Sequence, residues 1–341
     1  MTNFREIFDK KLSSIDINSD MSDAEKIEFY EILANSASEN IPPGLFRFRE
    51  CTEYNLDAFD KDEIWLSKAS SFNDPHDSLI YFDKDKIKNL LMIEIQKTQE
   101  QVYNIIQTES NLEEKFKENA HPIIKHVRNM TQEDFIENIN KLLSEFLSNV
   151  DFFFEKEKNG IRNKLKVACF SETIKSPLMW AHYAANHKGY ALEYDFRNRK
   201  FHSNGDCDAS LFPIIYSQER YDATEYGIWS LLETLSNNIE TEPRLQIYKD
   251  LLFAYKVILH KSTDWEYEKE WRMITTFRDN YHEVKDRCQV LKKPKAIYFG
   301  CKIPTIYKKI LGKIADEKNI KKYQMYVKDD SKQYELDYKE I

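Results

Sequence analysis

The chain has 341 residues, with 50 basic and 58 acidic side chains and a formal charge of −8; this length allows about two domains, or one large domain carrying an insertion. Hydrophobic residues at 41% and aromatics at 13% suffice for a real core, which excludes a disordered chain, and the acidic balance argues against a general coat for duplex DNA. Glycine is scarce, at 7 residues, and neither GxGxxG nor GxxxxGK[ST] occurs, so Rossmann and P-loop nucleotide sites drop out.

Residues 1–40 read as a helical arm. Ser22 stands three positions before Glu25, a capping-box spacing, and Ile27, Phe29, Ile32 and Leu33 follow at near-helical intervals. Ile41-Pro42-Pro43-Gly44 stops that arm. LFRFR then alternates, placing Phe46 and Phe48 on one strand face and Arg47 and Arg49 on the other; IWLS at 64–67 is a second strand, and Asn73-Asp74-Pro75 a turn. Residues 84–164 carry one Gly and one Pro among apolar residues every three or four positions. They read as about three amphipathic helices, broken near His121-Pro122 and ending at Asn159-Gly160, inserted into an α+β core of 41–83 plus 165–328. Strands resume at 166–171, 190–196 and 211–216, residues 229–262 read as helical, strands return around 267–277 and 296–299, and 329–341 is a charged tail. The expected architecture is a mixed, mostly antiparallel sheet with N-terminal helices and an inserted helical subdomain.

Cys51, Cys169, Cys207, Cys288 and Cys301 form no CxxC pair, so neither a disulfide framework nor a zinc module is signalled. The N-terminus has no leader pattern, and no stretch approaches ~18 apolar residues. A cytoplasmic protein with no membrane partner is the expectation.

Four stretches are richer in polar and aromatic residues than packing requires. Arg47 and Arg49 share one strand face, with Arg49 at the strand end, where ligands are commonly met. In SFNDPHD, Asn73 and Asp77 can brace a turn, and the spacing of Asp74, His76 and Asp77 is wrong for a calcium loop. In CFSETIKSPLMWAHYAANHKG, Ser176-Pro177 starts a helix and Gly189 stops it. Leu178, Trp180, Ala181, Ala184 and Ala185 would face the core, and Met179, His182, Tyr183, Asn186 and His187 a cleft, where Tyr183 or His182 could stack on or hydrogen-bond a flat polar ligand. In KSTDWEYEKEWRMITTF, a strand from about Tyr267 would align Glu268, Glu270 and Arg272 on one face, with Arg272 or Lys261 offsetting the paired carboxylates. Such pairs serve acid–base work or hold a developing cation.

Together these motifs resemble a bacterial family known as "domain of unknown function 2971", found among phage-defence and abortive-infection genes. The match runs through Arg49, Asn73-Asp74-Pro75, Asp77, Cys169-Phe170-Ser171, Met179 to Tyr183, His187 to Gly189, Lys261 and Trp265 to Arg272. An arginine on a first strand, a serine on a middle strand and a late ExE also resemble the R-S-E order of ADP-ribosyltransferases, although the middle motif here is Cys-Phe-Ser rather than Ser-Thr-Ser. That resemblance implies the transferase fold, with NAD as substrate. Arg49 would hold the NAD phosphates, Ser171 support the nicotinamide pocket, and Glu270 stabilise the oxocarbenium ion, with Glu268 orienting or deprotonating the acceptor. Arg47, Asn73, Asp77, Trp180, His182, Tyr183 and Lys261 would complete the binding site, and no metal is implied. The implied function is ADP-ribose transfer to a macromolecule, or NAD hydrolysis, by a toxin or effector of bacterial antiviral defence, with the insertion as a docking place for a protein regulator. Two alternatives are a metal-independent nuclease or RNase-type toxin using His182, His187 and the carboxylates, and a non-catalytic sensor or interaction protein.

Overall fold

The computed structural model describes residues 4–15, 21–115, 120–197, 202–203, 209–236, 252–275 and 288–341. Helices α1 (Phe4–Ser14) and α2 (Asp23–Ser38) precede strand β1 (Leu45–Arg49), helix α3 (Glu53–Asp60) and strands β2 (Glu63–Lys68) and β3 (Ile80–Tyr81). A helical block follows: α4 (Lys84–Thr108), α5 (Leu112–Lys115), α6 (His121–Arg128), α7 (Gln132–Ser148) and α8 (Val150–Lys164). Next come β4 (Lys166–Ser171), α9 (Pro177–Tyr183), β5 (Tyr190–Tyr194), β6 (His202–Ser203), β7 (Ala209–Pro213), β8 (Ile215–Ser217), β9 (Tyr221–Asp222) and α10 (Thr224–Ser236). The chain ends with α11 (Phe253–Ile258), β10 (His260–Ser262), a 3₁₀ turn at Thr263–Glu268, β11 (Glu270–Thr275), β12 (Cys288–Leu291), β13 (Ala296–Phe299), α12 (Thr305–Glu317), β14 (Lys321–Val327) and β15 (Leu336–Glu340).

The fold is α+β, built on an open, mostly antiparallel sheet in the order β15-β14-β13-β5-β1-β4-β2-β12-β6, with β11 and β7 branching from β4; β13 and β14 are parallel. β11 takes one edge of β4. β1 and β2 share the other edge, β1 at Ser171 and β2 at Lys166 and Val167, so the sheet forks between them. Period-two alternation then sorts the side chains. Leu45, Arg47 and Arg49 lie opposite Tyr194, Leu192 and Tyr190 on one face. Phe46, Ser171 and Glu270 are cross-strand partners on the other.

The first face packs Tyr190, Leu192, Tyr194, Phe170 and Trp271 beneath Phe59 of α3 and Leu311 and Ala315 of α12. On the second, Trp180 and Met179 of α9 cover Phe48 and Tyr298, while Phe8, Leu12, Leu33 and Ala37 of α1 and α2 cover Val167, Phe212 and Ile274. The helical block has its own cluster, in which Ile87, Leu143, Leu147 and Phe154 meet Ile228, Phe253 and Val257 of α10 and α11.

Several local expectations need correction. The Ser22–Glu25 capping box forms, but the block comprises five helices among the described residues, with His121-Pro122 opening α6 and α8 running through Gly160 to Lys164. The segment 211–216 is two strands, because at Ile214 the chain passes from β11 to β10: its N–H donates to the Glu270 carbonyl and that of Ile215 to the Leu259 carbonyl. Of the helix expected over 229–262, residues 237–251 lie outside the described residues and 260–262 form β10. Cys207 and residues 276 and 277 also lie outside them. The charged tail closes with β15, paired antiparallel to β14. Helix α9 ends at Tyr183, six residues before Gly189, and Ala185, Asn186 and His187 follow at positive φ. This register buries Met179 and leaves Leu178 exposed, the reverse of the expectation for those two, while Trp180 and Ala184 are buried as expected. No helix among the described residues is long and apolar enough to cross a membrane.

Candidate functional site

Lys269 adopts left-handed backbone, φ 45°, which ends the 3₁₀ turn and sets the start of β11. Glu268 therefore belongs to the turn and not to the Glu270 strand, which corrects the expected alternation. Both carboxylates nevertheless converge on Lys261 of β10, whose Nζ lies 2.6 Å from Glu268 Oε2 and 2.9 Å from Glu270 Oε2. Arg272, two residues along β11, donates from Nε to Glu270 Oε1 at 2.8 Å and holds both oxygens of Asp77, from the turn after β2. Asp77 Oδ2 is also 3.7 Å from Lys261. All five side chains are buried. Three carboxylates against two cations leave the cluster one negative charge when all are ionised.

The two glutamates are driven apart. Burial, then the Glu270 charge, push Glu268 up to about 6 against the opposing pull of Lys261 and Tyr183. Burial opposes the charge on Glu270 too, but Arg272 and Lys261 outweigh it and hold Glu270 below the ordinary carboxylate range. Lys261 is raised, its burial overcome by the glutamates and Asp77. Cys169 is a protonated thiol, pushed well up by burial and by Glu270.

The cluster reaches the surface along one side. Tyr183 Oη donates to Glu268 Oε1 at 2.6 Å and accepts from Asn73 Nδ2 at 3.4 Å. His182, Trp265 and Tyr267 form a rim of rings with centroids 6.0–6.4 Å apart, and Trp265 lies over Lys261 Nζ at 5.0 Å. Behind the cluster, Tyr216 Oη accepts from the Glu270 N–H at 2.7 Å, while Arg5 of α1 reaches the Glu270 carbonyl at 3.1 Å and Glu172 at 2.6 Å.

The structure thus gathers Asp77, Lys261, Glu268 and Glu270, with Tyr183, Asn73 and His182 at the opening. Ser171 is fully buried on the Glu270 face, but its Oγ donates to the Glu268 carbonyl at 2.6 Å and accepts from the Thr173 N–H at 3.2 Å. It braces the turn and is turned away from any opening. Trp180 is core: its Nε1 donates to the Ile174 carbonyl, and His187 stacks on its ring. His182 packs instead on Trp265 and Tyr267, so the two histidines serve different surroundings. Arg47 and Arg49 project from the opposite face of the sheet to Ser171 and Glu270, so the single R-S-E site is not assembled. The alternation LFRFR already separates arginine from phenylalanine; which face carries the carboxylates follows only from the register Phe46↔Ser171↔Glu270. The Asp77–Arg272 pairing joins positions 195 apart, and no local pattern announces it.

No curated protein and no solved structure matches this chain. Residues 179–273, from α9 through Glu270 and Arg272, match the model of a family described as protein of unknown function (DUF2971).

Proposed function

We propose that the protein is an enzyme that cleaves a glycosidic bond of a nucleotide, with the nicotinamide–ribose bond of NAD as the substrate to test first and Glu268 as the acting group. The observation that carries this reading is the pair Glu268 and Glu270, one poised near neutrality and one held ionised, beneath an aromatic rim. Pairs of carboxyls with separated pKa values mark acid–base assignments. Cleavage of the C1′–N bond leaves the electron pair on neutral nicotinamide and a cation on the ribose. The net negative charge of the cluster favours that cation in a site of low polarity. The ionised Glu268 then takes the proton of the attacking hydroxyl, from water or from a macromolecular acceptor. Glu270, buried and bonded to Arg272 and Lys261, positions Lys261. Tyr183 covers Glu268, so a substrate reaches the carboxylate by displacing the phenol. A toxin or effector role in bacterial antiviral defence rests on the family resemblance alone.

The test is nicotinamide release from NAD, with and without cell extract. Release by the native chain should increase as pH rises through about 6 and fall by about 10²-fold or more in Glu268→Gln at unchanged melting temperature. Full release by that variant refutes the assignment. Dependence on extract identifies a macromolecular acceptor.

A further inference from the structure

We infer that the fork between β1 and β2 is a second ligand site, on the opposite face of the sheet from Glu270, that binds a nucleoside phosphate. An open cavity of about 660 Å³ occupies the fork, floored by β5 and walled by α3. This is the size range of small-molecule pockets and well beyond a single phosphate ion. Arg47 and Arg49 bring two guanidinium groups to it, and Glu63, at its wall, accepts from the Trp65 indole at 3.0 Å.

Among the described residues the two arginines have no carboxylate partner. Arg47 is only 9% exposed, its Nη2 donates to the Trp65 carbonyl at 2.6 Å, and its Nε has no hydrogen-bond partner among the described residues. Among the described residues Arg49 donates only to the neighbouring Phe48 carbonyl, at 3.2 Å, and burial lowers its pKa against the opposing effect of Tyr190 and Tyr194. A guanidinium out of water needs an anion, and its planar fork fits phosphate oxygens in pairs. The ring-bearing part of the ligand follows from the wall. Tyr54, 58% exposed, and Trp65 lie at the cavity with ring centroids 6.1 Å apart, a surface on which a base can stack. Ser67 and Asn55 add hydroxyl and amide groups within reach of a ribose or base edge. The site is independent of the proposed reaction, because its arginines and Glu270 occupy different faces.

Equilibrium dialysis of the full chain against labelled ADP tests the inference. ADP should bind saturably and more weakly as salt is raised, with adenosine and inorganic phosphate each weaker by about ten-fold or more. Arg49→Gln should weaken ADP by about ten-fold or more, and Ser67→Trp, at an exposed wall position, should block the cavity without touching the core. Glu268→Gln should leave ADP binding within about two-fold, which separates this site from the proposed reaction. Absence of saturable ADP binding by the native chain overturns the inference. So does native affinity in both cavity variants, or binding of a single-stranded oligonucleotide without ADP.

Discussion

Glu268 owes its character to its environment and not to its sequence context. Nothing in Tyr-Glu-Lys distinguishes it from other glutamates of a charged chain, yet burial beside Glu270 raises it from 4.5 to about 6. The native state therefore retains a proton that the unfolded chain releases. That contribution to stability is complete below pH 4.5 and is lost as pH rises through 6, a change of about 2 kcal/mol. Glu270 acts in the other direction: its contribution is present above pH 4.5 and is lost only as pH falls through its lowered value. Between pH 4.5 and 6 the difference between the native chain and Glu268→Gln isolates Glu268. Guanidinium denaturation across that window should show stability declining with pH in the native chain and a flatter dependence in the variant; parallel curves would contradict the assignment.

At the scale of elements, α9 and the turn after it decide which rings meet the carboxylates. Ser176 caps the helix, accepting from the Met179 N–H, and Pro177 starts it. The chain then reverses through three left-handed residues, and the Gly189 N–H donates to the Ala184 carbonyl at 2.8 Å. Glycine is required at 189 because of proximity: a Cβ there would stand 2.1 Å from the Arg49 carbonyl oxygen and 3.1 Å from the Ala184 backbone. Gly189→Ala should cost about 3 kcal/mol, read as a lowered denaturation midpoint. Gly160 lies inside α8 with nothing within 4 Å of its Cβ position, so Gly160→Ala should stabilise by about 0.5–1 kcal/mol. Equal effects of the two substitutions would contradict this contrast.

Over the whole molecule, the buried ion cluster joins segments that are remote in the chain: Asp77 after β2, Lys261 on β10 and Arg272 on β11. The helical block lies between the first and the others in sequence and shares its core with α10 and α11, so insertion and sheet domain are packed together. Asp77→Asn leaves Arg272 buried with half its pairing removed and should cost about 3–5 kcal/mol in chemical denaturation. Replacing Arg272 by Leu in the same chain should not recover that loss, since it also removes the Nε donor from buried Glu270. An unchanged midpoint in Asp77→Asn would mean that the cluster contributes nothing to stability.

Much of the element order was legible from periodicity and caps: the Ser22 capping box, the alternation of LFRFR, the Ser176-Pro177 helix start, and the change of texture at residue 84. The meeting of Lys261 with Glu268 and Glu270 was also approachable, because the three lie within ten residues. Helix α3, helix α12 and strand β14 were not marked out, although Ile306, Ile310, Leu311 and Ile314 of α12 recur at helical spacing; what the faces of α3 and α12 pack against is supplied by distant strands. The sequence by itself determined an α+β chain with a helical block and a late segment crowded with carboxylates. Only the tertiary structure decided that Arg49 and Glu270 lie on opposite faces of the sheet. Strand register fixes the face of every side chain at once, and that register is set by contacts between segments about a hundred residues or more apart.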